Sequence, residues 1–177
     1  VLMSKTVIRN GMFETNSSSV HSICISKKPV GNVKGKKIAF YLGEYGWENS
    51  TVDTPDYLYT AIMCQNNSEE LLDKLKSILD KYEIDYTFQP EDKAKWYGID
   101  HGCETDEFVN AVLDNEDLLL RYLFDNESVI YTGNDNCGSK DYLDTCFIGD
   151  EYYWGDGGEK PNPYHDSENF DYFVKGN

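Results

Sequence analysis

Apolar and polar residues follow a helical period in the middle of this chain and a strand-like alternation toward both ends. The clearest helical pattern begins at Ser68, where apolar residues recur every three or four positions against a charged face, which predicts an amphipathic helix. Its apolar residues are Leu71, Leu72, Leu75, Ile78, Leu79 and Tyr82. The alternation over residues 20–26 predicts a strand instead.

Further helices are indicated by their start signals and apolar runs. Thr54 followed by Pro55 predicts a helix that runs to about residue 64, because a hydroxyl residue caps the first turn and proline suits that turn. Thr105 predicts another helix start, and the apolar run 118–124 predicts a helix after an interruption at residues 114–115. Helices placed between strands in this way favour an α+β fold.

The remaining segments predict short strands and irregular connections. The other predicted strands span residues 7–8, 38–42, 84–88 and 128–131. Residues 43–53 are interpreted as a loop with an exposed Trp47. Residues 132–136 are interpreted as a hairpin turn, and the chain after residue 148 is expected to be irregular. We therefore expect one α+β domain with a small, mostly antiparallel sheet, three to four helices and an irregular acidic, aromatic C-terminal part.

The charge of the 177 residues is −16, and it is divided unevenly along the chain. Residues 1–40 carry +6, whereas residues 41–177 carry −22. Within the single domain of residues 1–177 we distinguish a basic strand-rich element (1–42), a helical and mixed body (43–136) and an acidic aromatic segment (137–177). Such a body is unsuited to a long polyanion and suits a basic partner, although solubility alone also explains the charge.

The composition also bears on the compartment. No apolar run reaches the ~18 residues that a membrane span requires, and the first residues lack the apolar region of a signal peptide. We therefore expect a cytoplasmic protein without membrane contact. The five cysteines are an odd number at irregular spacing, which favours reduced thiols over a disulfide framework.

Residues 9–22 (RNGMFETNSSSVHS) place hydroxyl, amide, carboxylate and imidazole groups at the entrance of a predicted strand. Ser19 and His21 would share one face of that strand, so a serine nucleophile with a histidine base is sterically possible. The sharp elbow of a Gly-x-Ser-x-Gly motif is absent. The alternative is that Asn16 and the serines satisfy backbone groups in a tight turn.

An enzyme, or a protein that binds a small ligand such as a nucleotide, is one class of function for this chain. Residues 132–136 follow a predicted strand, where ligands often bind, but no lysine and no helix follow them directly. The polar site of this hypothesis, which should converge in one pocket, consists of Glu14, Ser17, Ser18, Ser19, His21, Asp100, His101, Asn134 and Asp135. Its catalytic candidates are Ser17, Ser19, His21, His101 and Asp135.

A metal site would draw its ligands from one histidine and three cysteines: His101, Cys103, Cys137 and Cys146. No Cys-x-x-Cys or His-x-x-x-His spacing is present, so we predict neither a metal nor another cofactor. Cys24 lies in a predicted strand and is interpreted as a small core residue.

The C-terminal segment interleaves carboxylates with aromatic rings. Aromatic residues are enriched at interfaces, and spaced carboxylates can meet the Lys and Arg side chains of a nucleic-acid-binding groove. The alternative is an aromatic mini-core with a solvated acidic rim. The predicted partner-binding residues are Asp150, Glu151, Tyr152, Tyr153, Trp154, Asp156, Asp166, Glu168, Asp171 and Tyr172. The basic residues that either contact nucleic acid or balance the acidic body are Lys27, Lys28, Lys34, Lys36 and Lys37.

The string RNGMFETNSSSVHS resembles the N-terminal signature of a family of phage and mobile-element proteins from gut bacteria. The likeness continues at residues 99–101, 119–124 and 132–136, so it touches most of the chain up to residue 136. Size, composition and signature are similar to those of type II-A anti-CRISPR proteins. The resemblance implies a non-enzymatic inhibitor that binds a type II RNA-guided DNA nuclease with its guide RNA and blocks DNA binding or cleavage. It carries no catalytic residue over to Glu14, Ser17 or His21.

A third class of function is an acidic interaction protein unrelated to such nucleases. This protein would bind neither a nuclease nor a nucleotide. The three classes therefore differ in the partner that each predicts.

Overall fold

The computed structural model describes residues 19–46, 50–134, 152–155, 158–161 and 167–175. The helices in these ranges are α1 (Thr54–Met63), α2 (Ser68–Lys81), α3 (Asp106–Asp114) and α4 (Glu116–Phe124). The strands are β1 (Ser19–Ser26), β2 (Lys37–Phe40), β3 (Glu44–Tyr45), β4 (Ser50–Val52), β5 (Asp85–Phe88), β6 (Gly98–Ile99), β7 (Val129–Asn134), β8 (Tyr152–Gly155), β9 (Gly158–Pro161) and β10 (Phe170–Lys175). Short 3-10 turns occupy Glu91–Lys93 and Gly102–Thr105.

The main sheet has four strands in the order β10-β1-β7-β4, and all neighbours in it are antiparallel. At its centre, Ile23 of β1 lies opposite Ile130 of β7 and Phe173 of β10. Two small parallel pairs, β2–β5 and β3–β6, complete the described architecture together with the β8–β9 hairpin. The predicted α+β fold with a small, mostly antiparallel sheet is therefore confirmed.

The core lies between the main sheet and the helices. Strand β1 contributes Ile23 and Ile25 to this core, and both are fully buried. The predicted apolar stripe of α2 contributes Leu75 and Leu79, which are also fully buried. Truncation of such a side chain to alanine typically costs about 2–5 kcal/mol, because the lost contacts leave a cavity. Burial of this stripe, and not helix propensity alone, stabilises α2.

The helix boundaries agree with the sequence-based prediction, but one predicted cap, Thr54, is wrong. Asn115 separates α3 from α4 as predicted, and its side chain accepts a hydrogen bond from the Leu118 N–H at 3.1 Å. Helix α1 begins at Thr54, but Asp53 occupies the cap position. Thr105 occupies the cap position of α3, as predicted, but its hydroxyl donates to the Gly102 carbonyl at 2.7 Å and makes no capping bond.

Two predicted connections contain regular structure. Residues 43–53 hold β3 and β4, and the predicted turn at residues 132–136 is instead a continuation of β7 as far as Asn134. Pairing with β1 supplies the backbone hydrogen bonds of residues 132–134, so tertiary context overrides their turn chemistry. Trp47, residues 135–136 and the strand predicted at residues 7–8 lie outside the described residues.

The C-terminal segment is more regular than its composition predicts. Strands β8 and β9 form an antiparallel hairpin, and β10 is an edge strand of the main sheet. Strand β10 pairs with β1, about 150 residues away in sequence. No local pattern indicates which distant segments pair with each other, so the pairing of β10 with β1 was not predicted from the sequence.

Candidate functional site

His21 is the predicted site residue for which the surroundings are most fully defined. Its side chain is completely buried, and its Nδ1 lies 2.7 Å from the hydroxyl of Tyr57 in α1. Burial, reinforced by the nearby charge of Lys175, lowers the pKa of His21 to about 3. The imidazole is therefore neutral near pH 7, and its Nε2 has no hydrogen-bond partner in the described part of the chain.

Lys175 lies directly opposite His21 in the β1–β10 pairing and is only 2% exposed. Burial lowers the pKa of its amine, while the carboxylates of Asp100 and Glu104 favour the charged form. His21, Tyr57, Lys175 and Asp100 thus form a buried polar cluster at one end of the main sheet. Sequence reasoning missed Tyr57 and Lys175, because only the tertiary pairing of β10 and the packing of α1 bring them to His21.

The other residues of the predicted polar site are placed as follows. The backbone of Ser19 pairs with that of Asn134, and His21 pairs with Thr132, so Ser19 and Asn134 lie at the same end of the sheet as His21. Asp100 is buried. His101, in contrast, is exposed and has a left-handed φ of 49°. Glu14, Ser17, Ser18 and Asp135 lie outside the described residues.

The buried cluster offers little room for a ligand. A cleft lined by Glu104, Phe108, Phe173 and Lys175 reaches this region, and its free space holds about one water molecule. His21 is enclosed whereas His101 faces solvent, so the two imidazoles do not share one accessible environment. The described geometry stabilises a polar core more readily than it binds a substrate.

The candidate metal ligands are not brought together among the described residues. His101 and Cys103 are both exposed, and no group of three or more potential ligands occurs in the described ranges. Cys137 and Cys146 lie outside those ranges. Cys24 is a buried core residue, as predicted, and burial raises the pKa of its thiol to about 11.

Several of the N-terminal lysines proposed for nucleic-acid contact instead meet carboxylates of their own chain. The pairs and their N–O distances are Lys27 with Asp171 at 3.9 Å, Lys28 with Glu127 at 2.5 Å, and Lys34 with Glu83 at 2.6 Å. Lys36 lies over the ring of Phe124, 5.2 Å from its centroid. Exposed pairs of this kind add little stability, but they neutralise much of the positive charge of this segment.

The acidic and aromatic residues proposed for partner binding are divided between several environments. Glu168 is exposed, Tyr172 is half-buried, and the Asp171 carboxylate accepts a hydrogen bond from Arg121 Nη1 at 2.9 Å. Asp171 therefore contributes to the fold of its own chain. Strand β8 contains Tyr152, Tyr153 and Trp154. The members outside the described residues are Asp150, Glu151, Asp156 and Asp166.

Comparison with known proteins gives no assignment. The sequence matches no protein-family model, and neither a curated protein nor a solved structure shows significant similarity to it. In the described part of the chain, no helix is long and apolar enough to cross a membrane.

Proposed function

We propose that this protein is a non-enzymatic inhibitor of a type II RNA-guided DNA nuclease and that it acts by binding the nuclease with its guide RNA. The inhibitor would block either DNA binding or DNA cleavage in a bacterial cytoplasm. The choice of a type II nuclease as the target rests on the resemblance of residues 9–22 to phage and mobile-element proteins. The physical support comes from the distribution of charge.

The observation that carries the proposal is the pairing of basic side chains within the molecule. In addition to the N-terminal pairs, Lys74 bonds to Asp114, Lys81 bonds to Glu116 at 2.7 Å, and Arg121 bonds to Asp117 at 2.9 Å. Since acidic residues outnumber basic ones by 32 to 16, one-to-one pairing would leave at least half of the carboxylates without a basic partner. Such a surface repels free nucleic acid and attracts a protein with a positively charged nucleic-acid channel.

The test is a pulldown with several guide-loaded type II nucleases, followed by a DNA cleavage assay with each of them. We expect the chain to be retained by at least one nuclease and to reduce its cleavage of target DNA. A basic protein of unrelated fold is the control, because a merely acidic chain would bind both proteins alike. Absence of both binding and inhibition across the nucleases would refute the proposal.

A second candidate is a small-ligand protein, for example one that binds a nucleotide. The observations that favour it are the backbone pairing of Ser19 with Asn134 and the Nε2 of the buried His21, which has no hydrogen-bond partner among the described residues. A thermal-shift screen with nucleotides tests this candidate. A shift that His21→Gln abolishes would support it, and no shift with any nucleotide would remove it.

A further inference from the structure

Tyr41 and Trp96 are unusually exposed for aromatic side chains. Tyr41 is 56% exposed and Trp96 is 52% exposed. Large aromatic residues are on average mostly buried, and exposed ones on a defined backbone are typical of interface residues. The other strongly exposed large apolar side chain in the described ranges is Val174, at 48%.

The backbone holds Tyr41 in an outward orientation. Its neighbours Phe40 and Leu42 are both buried in the core, so the Tyr41 ring faces solvent. The Tyr41 N–H donates to Asp56 Oδ1 at 2.9 Å, and the Leu42 N–H donates to Gln89 Oε1 at 2.8 Å. The ring is thus presented from a fixed position, which lowers the entropic cost of binding.

Trp96 lies on the connection between β5 and β6. The segment from β5 to β6 that contains Trp96 runs beside residues 41–43, since the Gly98 N–H donates to the Gly43 carbonyl at 2.9 Å. The next residue, Tyr97, is tied down because its hydroxyl donates to Glu91 Oε1 at 2.6 Å. The two backbone segments that carry the exposed rings therefore meet at Gly43 and Gly98.

The carboxylates on the Tyr41 side of this region indicate the charge of a partner there, whereas the exposed residues next to Trp96 in the chain include Lys93 and Lys95. Glu44 and Asp53 are exposed and have no cation within 4.0 Å in the described part of the chain. Asp56 adds a third carboxylate beside Tyr41. Arginine suits such a surface, because its guanidinium stacks on aromatic faces and bonds to carboxylates in a fork.

We propose that Tyr41 and Trp96 are the anchor residues of an interface for an arginine-bearing surface of a basic protein. Glu44, Asp53 and Asp56 would supply the complementary charge on the Tyr41 side of this interface. This inference rests on the proposed function in so far as that basic protein is the nuclease. It places the interface in the described body of the chain and not in the C-terminal segment.

The first test compares the binding of alanine variants to the guide-loaded nuclease that the wild-type chain inhibits. Tyr41→Ala and Trp96→Ala should each weaken binding about tenfold or more, because truncated aromatic anchors remove a large share of interface energy. Val174→Ala, the matched exposed control, should change it less than about twofold. Unchanged thermal midpoints confirm that the variants fold, and wild-type affinity of Trp96→Ala would overturn the proposal.

A second test needs no nuclease. The chain is titrated with an arginine-rich peptide and with a lysine-rich peptide of equal charge, while the Trp96 indole N–H is followed by NMR. We expect a saturable shift that is larger with arginine. No shift of Trp96, or a larger shift with a single-stranded oligonucleotide, would overturn the proposal. A dimer that forms with increasing concentration and that Trp96→Ala abolishes would also overturn the proposal, because the surface would then bind a second copy of the chain.

The two tests separate the two proposals. If Trp96 responds to the arginine peptide while no nuclease is bound, the interface stands and the nuclease is the wrong partner. If a nuclease is bound and inhibited by both alanine variants as well as by wild type, the function stands and this interface is wrong.

Discussion

Two buried basic residues, Arg121 beside strand β10 and Lys175 at the end of that strand, are accommodated in different ways. Arg121 is 9% exposed and donates to Asp117 Oδ2, to Asp171 Oδ2 and to the Ser26 carbonyl over 2.8–2.9 Å. Lys175 lies opposite the neutral His21, and burial lowers the pKa of its amine while the nearby carboxylates of Asp100 and Glu104 favour the charged form. A guanidinium stays charged at any ordinary pH and needs a set of acceptors, whereas an amine reduces the cost of burial by a shift of its pKa.

The largest expected effect in this comparison comes from removal of the Arg121 side chain. Arg121→Ala leaves the Ser26 carbonyl and Asp171 without their donor, so we expect a loss of about 2–4 kcal/mol in the free energy of unfolding. Urea denaturation followed by circular dichroism measures it. Lys74→Ala is the control, because its ion pair with Asp114 is exposed, and it should cost less than about 1 kcal/mol. Equal losses in the two variants would contradict this account of Arg121.

The pH dependence of stability tests the buried polar cluster around His21. The pKa of His21 is about 3 in the folded chain against an ordinary value of 6.5, so the unfolded chain takes up the proton first as the pH falls. The stability contributed by neutral His21 is complete above pH 6.5 and is lost progressively toward pH 3. At pH 5 the loss is about 2 kcal/mol.

The variant His21→Gln isolates this contribution, because glutamine cannot titrate. Between pH 7 and pH 5 its unfolding free energy should fall by about 2 kcal/mol less than that of the wild type. Urea titrations of the wild type and the variant at the two pH values give the unfolding free energies to compare. The same loss in both proteins would mean that His21 is not held neutral by burial.

A smaller effect is expected where Gly46 approaches Asp100. A Cβ at residue 46 would lie 2.6 Å from the Asp100 Cβ, closer than such atoms ever come. Gly46→Ala should therefore displace Asp100 from the buried cluster and cost about 1–2 kcal/mol. Gly31→Ala is the matched control, since a Cβ there meets nothing within 4 Å, and its melting temperature should stay close to that of the wild type. A wild-type melting temperature for Gly46→Ala would show that Asp100 moves freely.

The sequence predicted the elements whose pattern is local and missed the pairings between distant segments. The periodicity of α2 and the interruption at Asn115 were readable, because a helix buries one face at short spacing. The place of β10 beside β1 was not readable. Lys175 consequently gave no signal of its burial, and Asp171 gave no signal of its bond to Arg121.

Only part of the candidate site could be predicted from the sequence, because its residues come together through tertiary packing. It indicated His21 as a notable residue, but not that Tyr57 would enclose it, because a lone tyrosine in a helix resembles any core aromatic. Tyr41 and Trp96 gave no signal either. Their exposure depends on which neighbouring residues face the core, and that is a property of the packed structure.

The most direct test of the central claim is the affinity of the chain for a guide-loaded type II nuclease, measured at increasing salt. The account predicts inhibitory binding whose association rate falls steeply between about 50 and 300 mM salt, because complementary charge accelerates encounter. Failure to bind any of several such nucleases at low salt, or binding that is indifferent to salt, would contradict it.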